Sequence, residues 1–331
     1  MTSVVEPLTL PIPGGNPYTM HPIVHSDIWD TYKKMQSMRW FVEELKLDQD
    51  IKCWVQLSEG EQFFIKTVLG FFAASDGIVS ANLVERFMQD TAWATVKAVY
   101  AEQLAMEQVH SETYSVLIDK YISDQAEKTR LFNAIETIPA VRGKAEWALK
   151  WINDMSASFA QRMVAFAIVE GVFFAGSFCA IFWLREQGKM PGLTEANTFI
   201  ARDEGMHTDF ACLLYTRYIK NKLSDDVVAS MMRDAVEIED EFINKAIPCK
   251  LVGMNSDAMR EYIRYMADRI TMQLGHKPVF NATNPFPFMA RAGAIERVNF
   301  FEARNTEYSR AVTSIANFNA NAISGIISDD F

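Results

Sequence analysis

The sequence has few of the residues that a β-sheet protein or a disulfide framework requires. Its 331 residues include 15 glycines and 11 prolines, which is low for a fold built on many tight turns. The four cysteines, Cys53, Cys179, Cys212 and Cys249, form no close pairs. Cys179 and Cys212 lie in apolar helical stretches, so we expect buried free thiols in a reducing compartment rather than disulfides.

Basic clusters are also missing. The net charge is −10 and no block of Lys and Arg occurs, which argues against nucleic-acid binding. Residues 1–20 contain prolines and glycines but neither a basic region nor an apolar core, so they predict an extended arm rather than a signal peptide. The last twenty residues lack helical periodicity and predict a flexible tail. We therefore expect an arm at 1–20, a helical domain at 21–310 and a tail at 311–331.

One long apolar run occurs at residues 163–184, where Glu170 is the only charge. Its length fits a membrane span, but acids inside membranes are rare and face the protein interior. A helix that is apolar on all sides also occurs at the centre of a large protein. We interpret the run as a core helix and expect no contact with a membrane.

The spacing of apolar residues predicts an all-α protein. Candidate N-caps are Ser58, Ser123, Thr194 and Ser224. The predicted helices cover 27–39, 59–90, 93–121, 124–137, 140–153, 157–187, 194–221, 225–246 and 256–274.

Two copies of one short motif carry most of the chemical information, Glu107-x-x-His110 and Glu204-x-x-His207. Residues three apart on a helix share a face, so each motif directs a carboxylate and an imidazole to one spot. A lone Glu-x-x-His is usually a solvated pair, but here two of only five histidines carry Glu three residues earlier. Two such helices, with one inward acid from each of two others, form the dinuclear metal site of a ferritin-like bundle.

Two isolated acids complete this pattern. Asp76 lies in an apolar helical stretch that begins with the capping box Ser58-x-x-Glu61, and Glu170 lies in the long apolar run. A buried lone carboxylate is costly unless it is paired or bound to a cation. The sequence therefore predicts a ferritin-like helical bundle with a dinuclear metal-carboxylate core, suited to iron or manganese.

Two further residues belong to this predicted site. Tyr114 follows Glu107 by seven residues, which is nearly two helical turns and places it on the ligand face, although a core aromatic fits the same spacing. Asp203 precedes His207 by four residues, so its carboxylate could orient a ligating histidine through a hydrogen bond.

The segments around these residues resemble the radical-generating small (beta) subunit of class I ribonucleotide reductase. The resemblance extends from about residue 20 to the C-terminal phenylalanine. It is carried by LGFFAASDGIVSANLVERF, AMEQVHSETYSVLIDKY, VEGVFFAGSFCAIFWL and MPGLTEANTFIARDEGMHTDFACLL.

This resemblance implies a role for each candidate residue. It implies a stable radical at Tyr114, an electron pathway through Trp40, and a link between His110 and Trp40 through Asp203. Tyr308, in FFEARNTEYSR, corresponds to the tail tyrosine that passes the radical to the large subunit. The metal ligands that it implies are Asp76, Glu107, His110, Glu170, Glu204 and His207.

The resemblance also implies a reaction and its partners. A reduced metal pair, expected to be two iron ions with Mn/Fe and two Mn left open, activates oxygen with the help of a reductant and oxidises Tyr114. The radical then passes to the large (alpha) subunit, where ribonucleotides are reduced to deoxyribonucleotides. We expect a cytoplasmic homodimer that docks on the large subunit through its acidic, phenylalanine-ended tail.

Other classes of protein use the same bundle and stay open at this point. A ferritin would store iron with similar ligands, but it gives no reason for Tyr114, Trp40 or the tail. A dinuclear oxidase could bind a fatty or small apolar substrate between Phe174, Phe178 and Ile200, which we expect to wall the site. A metal-free scaffold would leave six buried ionisable groups without a cation.

Overall fold

Helices form all the regular secondary structure in the part of the chain that the computed structural model describes, residues 5–245, 250 and 253–290. One compact unit spans Met1–Phe288. The helices are α1 (Ser26–Ser37), α2 (Asp48–Trp54), α3 (Glu59–Asn82), α4 (Ala94–Tyr121), α5 (Gln125–Phe132), α6 (Ala134–Thr137), α7 (Pro139–Asn153), α8 (Phe159–Ile168), α9 (Ala175–Glu186), α10 (Pro191–Tyr218), α11 (Asp225–Lys245) and α12 (Ser256–Gln273).

Four long elements form the centre of the bundle. They are α3, α4, α10 and the continuous element made of α8 and α9. Helix α3 packs along α4, and α10 packs along α8 and α9, while α4 also contacts α10. The facing surfaces bury large apolar side chains, among them Phe72, Phe174 and Phe210, each at most 1% exposed. The architecture is the predicted all-α bundle, and its centre is where residues from all four elements can meet.

The long apolar run lies in the core. By length and composition, Glu59–Asp90 and Phe159–Glu186 are both apolar enough to cross a membrane. In the second helix, 94% of the most apolar window is buried inside the protein, as expected for the central helix of a large bundle.

Two of the predicted helices are interrupted by π-helical segments. Helix α3 continues into the π segment Leu83–Phe87 and the short helix Met88–Asp90. Helix α8 continues into the π segment Val169–Phe173, which leads to α9. A π segment inserts one residue into the helical repeat and redirects the side chains around it, often at functional sites. The prediction of one continuous helix at 157–187 was wrong in this respect.

The start of α10 differs from its prediction. The expected N-cap Thr194 lies inside the helix, which begins at Pro191, a residue well suited to a first helical position. Asp50 of α2 caps this end from a distance, because its carboxylate accepts the backbone N–H of Gly192 at 2.8 Å and of Leu193 at 2.7 Å. Neither this cap nor helix α2 was predicted.

Another boundary was also wrong. The predicted helix 124–137 is two helices, α5 and α6, which meet at Asn133. Its N-cap is Asp124, whose side chain accepts from the N–H of Ala126, rather than the expected Ser123.

The N-terminal arm contains only one short 3-10 turn, Pro7–Thr9, in residues 5–20. Its Glu6 carboxylate accepts the backbone N–H groups of Lys220 at 2.8 Å and Asn221 at 2.9 Å, so the arm is attached beyond the end of α10. Tyr308 and the tail at 311–331 lie outside the described residues.

The expected burial of Cys179 and Cys212 is confirmed. Cys179 and Cys212 are buried, and neither these two nor Cys53 forms a disulfide within the described residues. Cys249 lies outside them.

Removing the remote cap should destabilise the bundle. We expect Asp50→Ala to lower the free energy of unfolding by about 1–2 kcal/mol, the upper part of the range for a lost N-cap. The loss should be in this upper part because the substitution also removes the acceptor of the Tyr121 hydroxyl. Chemical denaturation of the metal-free protein measures this change. The control is Asp48→Ala, an exposed acid on the same helix. An Asp50→Ala transition that matches the control would contradict the capping role.

Candidate metal centre

The six predicted ligands come from four elements and meet inside the bundle. Each is at most 2% exposed. Asp76 lies on α3 and Glu170 lies on the π segment after α8. The other four form the two Glu-x-x-His motifs, Glu107 and His110 on α4 and Glu204 and His207 on α10.

Their ligand atoms form two overlapping groups, within each of which all atoms lie within 4.8 Å of one another. One group is Asp76, Glu107 and His110, and the other is Glu107, Glu170, Glu204 and His207. Glu107 belongs to both groups. Two neighbouring cation sites that share one carboxylate are the arrangement of a carboxylate-bridged pair.

Close contacts between imidazoles and carboxylates cross from one motif to the other. His207 Nδ1 lies 3.0 Å from Glu107 Oε1 and 3.1 Å from Glu204 Oε2. His110 Nδ1 lies 3.2 Å from Glu204 Oε1. Helices α4 and α10 thus direct their ligands to one shared volume.

The donor set fits a pair of divalent metal ions. Both carboxylate oxygens of Asp76 and Glu170 Oε2 are buried without a hydrogen-bond partner among the described residues. Buried polar atoms are almost always paired, so such orphaned atoms in one cluster indicate a cation. Four carboxylates also balance the charge of two divalent ions, and carboxylate with imidazole suits iron and manganese.

Burial strongly shifts the pKa values of these groups. Burial raises the pKa of Asp76 and Glu170, and neighbouring carboxylates raise both further. For His207, burial lowers the pKa, but the charge of Glu107 and hydrogen bonds to Glu107 and Glu204 outweigh it and raise the pKa to about 9. The cluster therefore holds protons in the absence of a cation, and metal binding should release them.

A chain of contacts connects the cluster to Trp40. The indole Nε1 of Trp40 donates to Asp203 Oδ2 at 2.8 Å, and the same oxygen lies 3.2 Å from His110 Nε2. Asp203 is fully buried. Asp203 thus contacts the histidine of the facing helix, and this is the link between His110 and Trp40 that the family resemblance implies. Such a contact fixes the orientation of the His110 imidazole.

Tyr114 lies in an aromatic environment on the same helix as Glu107. Its ring stacks on Phe72 with 4.8 Å between centroids, and Phe72 in turn contacts Phe174 and Phe178. The hydroxyl is buried and has no hydrogen-bond partner within the described residues. Burial, followed by the charge of Asp76, raises the pKa of Tyr114 well above its ordinary value, so the phenol stays protonated.

Comparison with known proteins identifies the family. The family described as "Ribonucleotide reductase, small chain" matches residues 17–285. The ribonucleoside-diphosphate reductase small chain of Trypanosoma brucei brucei is 52% identical over 308 residues, 93% of this chain and 90% of the relative. The small subunit of the same enzyme from Dictyostelium discoideum is 51% identical, over 90% of this chain and 88% of its own length.

This chain belongs to the ribonucleotide reductase small-chain family. Among solved structures, the Rnr4 homodimer of Saccharomyces cerevisiae matches with a TM-score of 0.80 and 33% identity, covering 92% of this chain and 93% of that one. The dimanganese(II)-NrdF of Streptococcus sanguinis shares the fold, with a TM-score of 0.73 and 19% identity over 84% of this chain and 99% of that one. The all-α architecture is that of the family's radical-generating subunit.

Two polar contacts of this small chain were not found from the sequence. Gln103, fully buried, donates from Nε2 to Glu170 Oε1 at 3.1 Å. Its position four residues before Glu107 was a usable signal, because that spacing places it on the ligand face. Arg39, beside Trp40, forms an ion pair with the buried Glu102 of α4, and nothing in the local sequence indicates this contact.

Removing one ligand should separate metal binding from folding. We expect Glu170→Gln to be at least as stable as the wild type without metal, because burial disfavours the ionised carboxylate that the amide replaces. The variant should bind fewer metal ions and should gain less thermal stability from added Mn(II) or Fe(II). Thermal unfolding with and without metal, together with elemental analysis, measures both effects.

The control is Glu112→Ala, an exposed acid on α4, which should bind metal as the wild type does. A Glu170→Gln variant with full metal content and full metal-induced stabilisation would exclude Glu170 as a ligand.

Proposed function

We propose that this chain is the radical-generating subunit of a ribonucleoside-diphosphate reductase and that Tyr114 carries the radical. The observation that supports this most is that the buried carboxylate-histidine cluster lies between two redox-active side chains, Tyr114 and Trp40. On one side Tyr114 stacks on Phe72, which itself contacts Phe174 and Phe178, and on the other Asp203 joins His110 to Trp40. A ferritin or a metal-free scaffold gives no reason for this combination.

The six ligands hold the metal pair in this proposal, and we expect two iron ions, with Mn/Fe and two Mn as the alternatives. A bound metal pair supplies the oxidising power through its reaction with oxygen and a reductant. The protein supplies a phenol that stays protonated until it is oxidised. Tyr114 would then give one electron to the bound metal pair, which would be reduced by one electron, and the proton of its hydroxyl to a basic group of the cluster such as the Asp76 carboxylate, the charge that acts most strongly on the phenol. Phe72, on which Tyr114 stacks, and its neighbours Phe174 and Phe178 make this side of the phenol apolar, which would help to keep water from quenching the radical.

Trp40 gives the radical its route out of the bundle. Asp203 receives hydrogen bonds from Trp40 and Arg202, with Arg202 Nε 3.0 Å from Asp203 Oδ1. Arg202 also donates to the backbone carbonyl of Met38 at 2.7 Å, so the segment that bears Trp40 is fixed against α10. This rigidity holds the indole at one distance from His110, as electron transfer requires.

The catalytic partner is a large subunit, where ribonucleotides would be reduced to deoxyribonucleotides. We infer that this chain pairs as a homodimer, as the Rnr4 structure does, and that it acts in the cytoplasm. In this proposal the C-terminal tail, with Tyr308 and the terminal Asp329-Asp330-Phe331, docks on the large subunit and passes the radical to it.

The tyrosine assignment has a closely matched test. Tyr114→Phe removes one buried hydroxyl that has no hydrogen-bond partner among the described residues, so folding and metal content should be unchanged. The variant should lose the tyrosyl signal in electron paramagnetic resonance and the turnover with the large subunit. Tyr100→Phe is the control, because Tyr100 is also buried on α4, its hydroxyl has no partner in the described part of the chain, and it lies seven residues before Glu107. Full turnover in Tyr114→Phe would show that the metal centre itself is the resting oxidant.

The docking role of the tail is tested separately. Because an aromatic anchor beside charges suits a peptide that docks in a groove, a peptide of the last ten residues should compete with the whole subunit for the large subunit. A protein shortened by these residues should lose turnover but keep its metal content and tyrosyl signal. The control peptide replaces Phe331 by Ala. Unchanged activation by the shortened protein would refute the role of the tail.

A further inference from the structure

A second buried ionic group lies outside the metal cluster, and neither the family assignment nor the proposed mechanism uses it. Lys144 of α7 lies 2.5 Å from Glu239 of α11, measured from Nζ to Oε2. The two side chains are 2% and 0% exposed. Burial lowers the pKa of Lys144 to about 8 and raises that of Glu239 to about 7.

The ammonium group of Lys144 has further partners. Nζ donates to the backbone carbonyl of Phe173 at 2.6 Å. It also lies over the rings of Phe71 and Phe242, 3.7 Å and 3.8 Å from their centroids. Aromatic faces attract a desolvated cation, so the group is held at one point between α3, α7 and α11.

The carbonyl that Lys144 contacts belongs to the element that carries a metal ligand. Phe173 is the last residue of the π segment Val169–Phe173, and Glu170 is its second residue. A π segment changes the pattern of backbone hydrogen bonds within a helix, and the donor from Lys144 satisfies the carbonyl at its C-terminal end.

A second close contact constrains the same segment. A Cβ on Gly171 would lie 2.3 Å from Ile270 Cδ1 and 3.2 Å from Thr208 Cγ2, so the backbone at Gly171 packs closely against α12 and α10. The π segment is therefore constrained at two points, by the apolar contact at Gly171 and by the Lys144 donor at Phe173.

The stability of the fold does not by itself explain why Lys144 and Glu239 are buried together. Removing two charges from water is expensive, and replacing a buried ion pair by apolar residues of similar volume is often neutral or stabilising. Glu239 also approaches the backbone closely, since a Cβ on Gly176 would lie 2.8 Å from its Oε1. The pair instead provides a directed donor at Phe173 that an apolar pair would lack.

We propose that Lys144, oriented by Glu239, is a positioning residue that sets the π segment and thereby directs the Glu170 carboxylate to the metal site. This inference rests on the proposed dinuclear centre. It concerns one ion of the pair, the one held by Glu107, Glu170, Glu204 and His207. The other group, with Asp76 and His110, does not involve the π segment.

The test removes the donor while keeping the volume. K144M/E239L should fold, and its thermal midpoint without metal should stay close to the wild-type value or rise. Titration of the metal-free protein with Mn(II), followed by electron paramagnetic resonance, measures both binding steps and the signal of the coupled pair. We expect the first ion to bind as in the wild type and the second to bind about 10- to 100-fold more weakly, as is typical when a group that orients a ligand is lost.

The matched control is R264M/D240L, which removes a half-buried pair on α11 and α12 with a separation of 2.6 Å. It should leave both Mn(II) steps unchanged. If K144M/E239L proves much less stable than the wild type, K144M/E239Q replaces it, because the amide keeps the shape of Glu239 and the donor of Lys144 is still absent.

Two failures are distinguishable in this experiment. A folded variant that binds both Mn(II) ions with wild-type affinity would overturn the positioning role alone. A wild-type protein that binds no second ion would overturn the dinuclear centre, and the positioning role with it.

Discussion

Four carboxylates converge in a core that excludes water, and their mutual repulsion is the constraint on which the rest of the structure depends. Asp76, Glu107, Glu170 and Glu204 are each at most 2% exposed. Ionised carboxylates in such surroundings are stable only beside cations. Burial and then the neighbouring carboxylates raise the pKa of Glu170, whereas for His207 the carboxylates of Glu107 and Glu204 outweigh burial and raise the pKa. Without metal, protons on these groups therefore offset the charge. With two divalent ions, the four charges are balanced and the protons are released.

The surroundings of the cluster differ on its two sides, and each difference serves electron transfer in the proposed function. Towards Tyr114 the contacts are aromatic, because its ring stacks on Phe72 and no described residue hydrogen-bonds its hydroxyl. Towards Trp40 the contacts are polar, because Asp203 joins the indole to His110. One side thus suits storage of an oxidising equivalent, and the other suits its transfer.

The six side chains that meet in the cluster could be chosen from the sequence because their signal is local. Glu-x-x-His motifs place two ligands on one helical face, and acids such as Asp76 and Glu170 stand out in apolar stretches. The aromatic walls also followed from helical spacing, since Phe174 and Phe178 pack on Phe72 beside Tyr114.

The features that the sequence did not predict depend on contacts between residues far apart along the polypeptide. Asp50 caps a helix that begins 141 residues later, and Arg39 forms an ion pair with Glu102 of α4. Lys144 and Glu239 come from helices that no local pattern connects. The π segment at Val169–Phe173 was also missed, because its apolar sequence suits an uninterrupted helix equally well.

The central claim is that these six side chains bind two metal ions, and a crystal structure of the metal-loaded protein tests it most directly. Anomalous diffraction recorded at the iron and manganese absorption edges would locate each ion and identify the element. We predict two peaks that share Glu107, one beside Asp76 and His110 and the other beside Glu170 and His207. A single peak, or none between Glu107 and Glu204 in crystals that contain metal, would contradict the account.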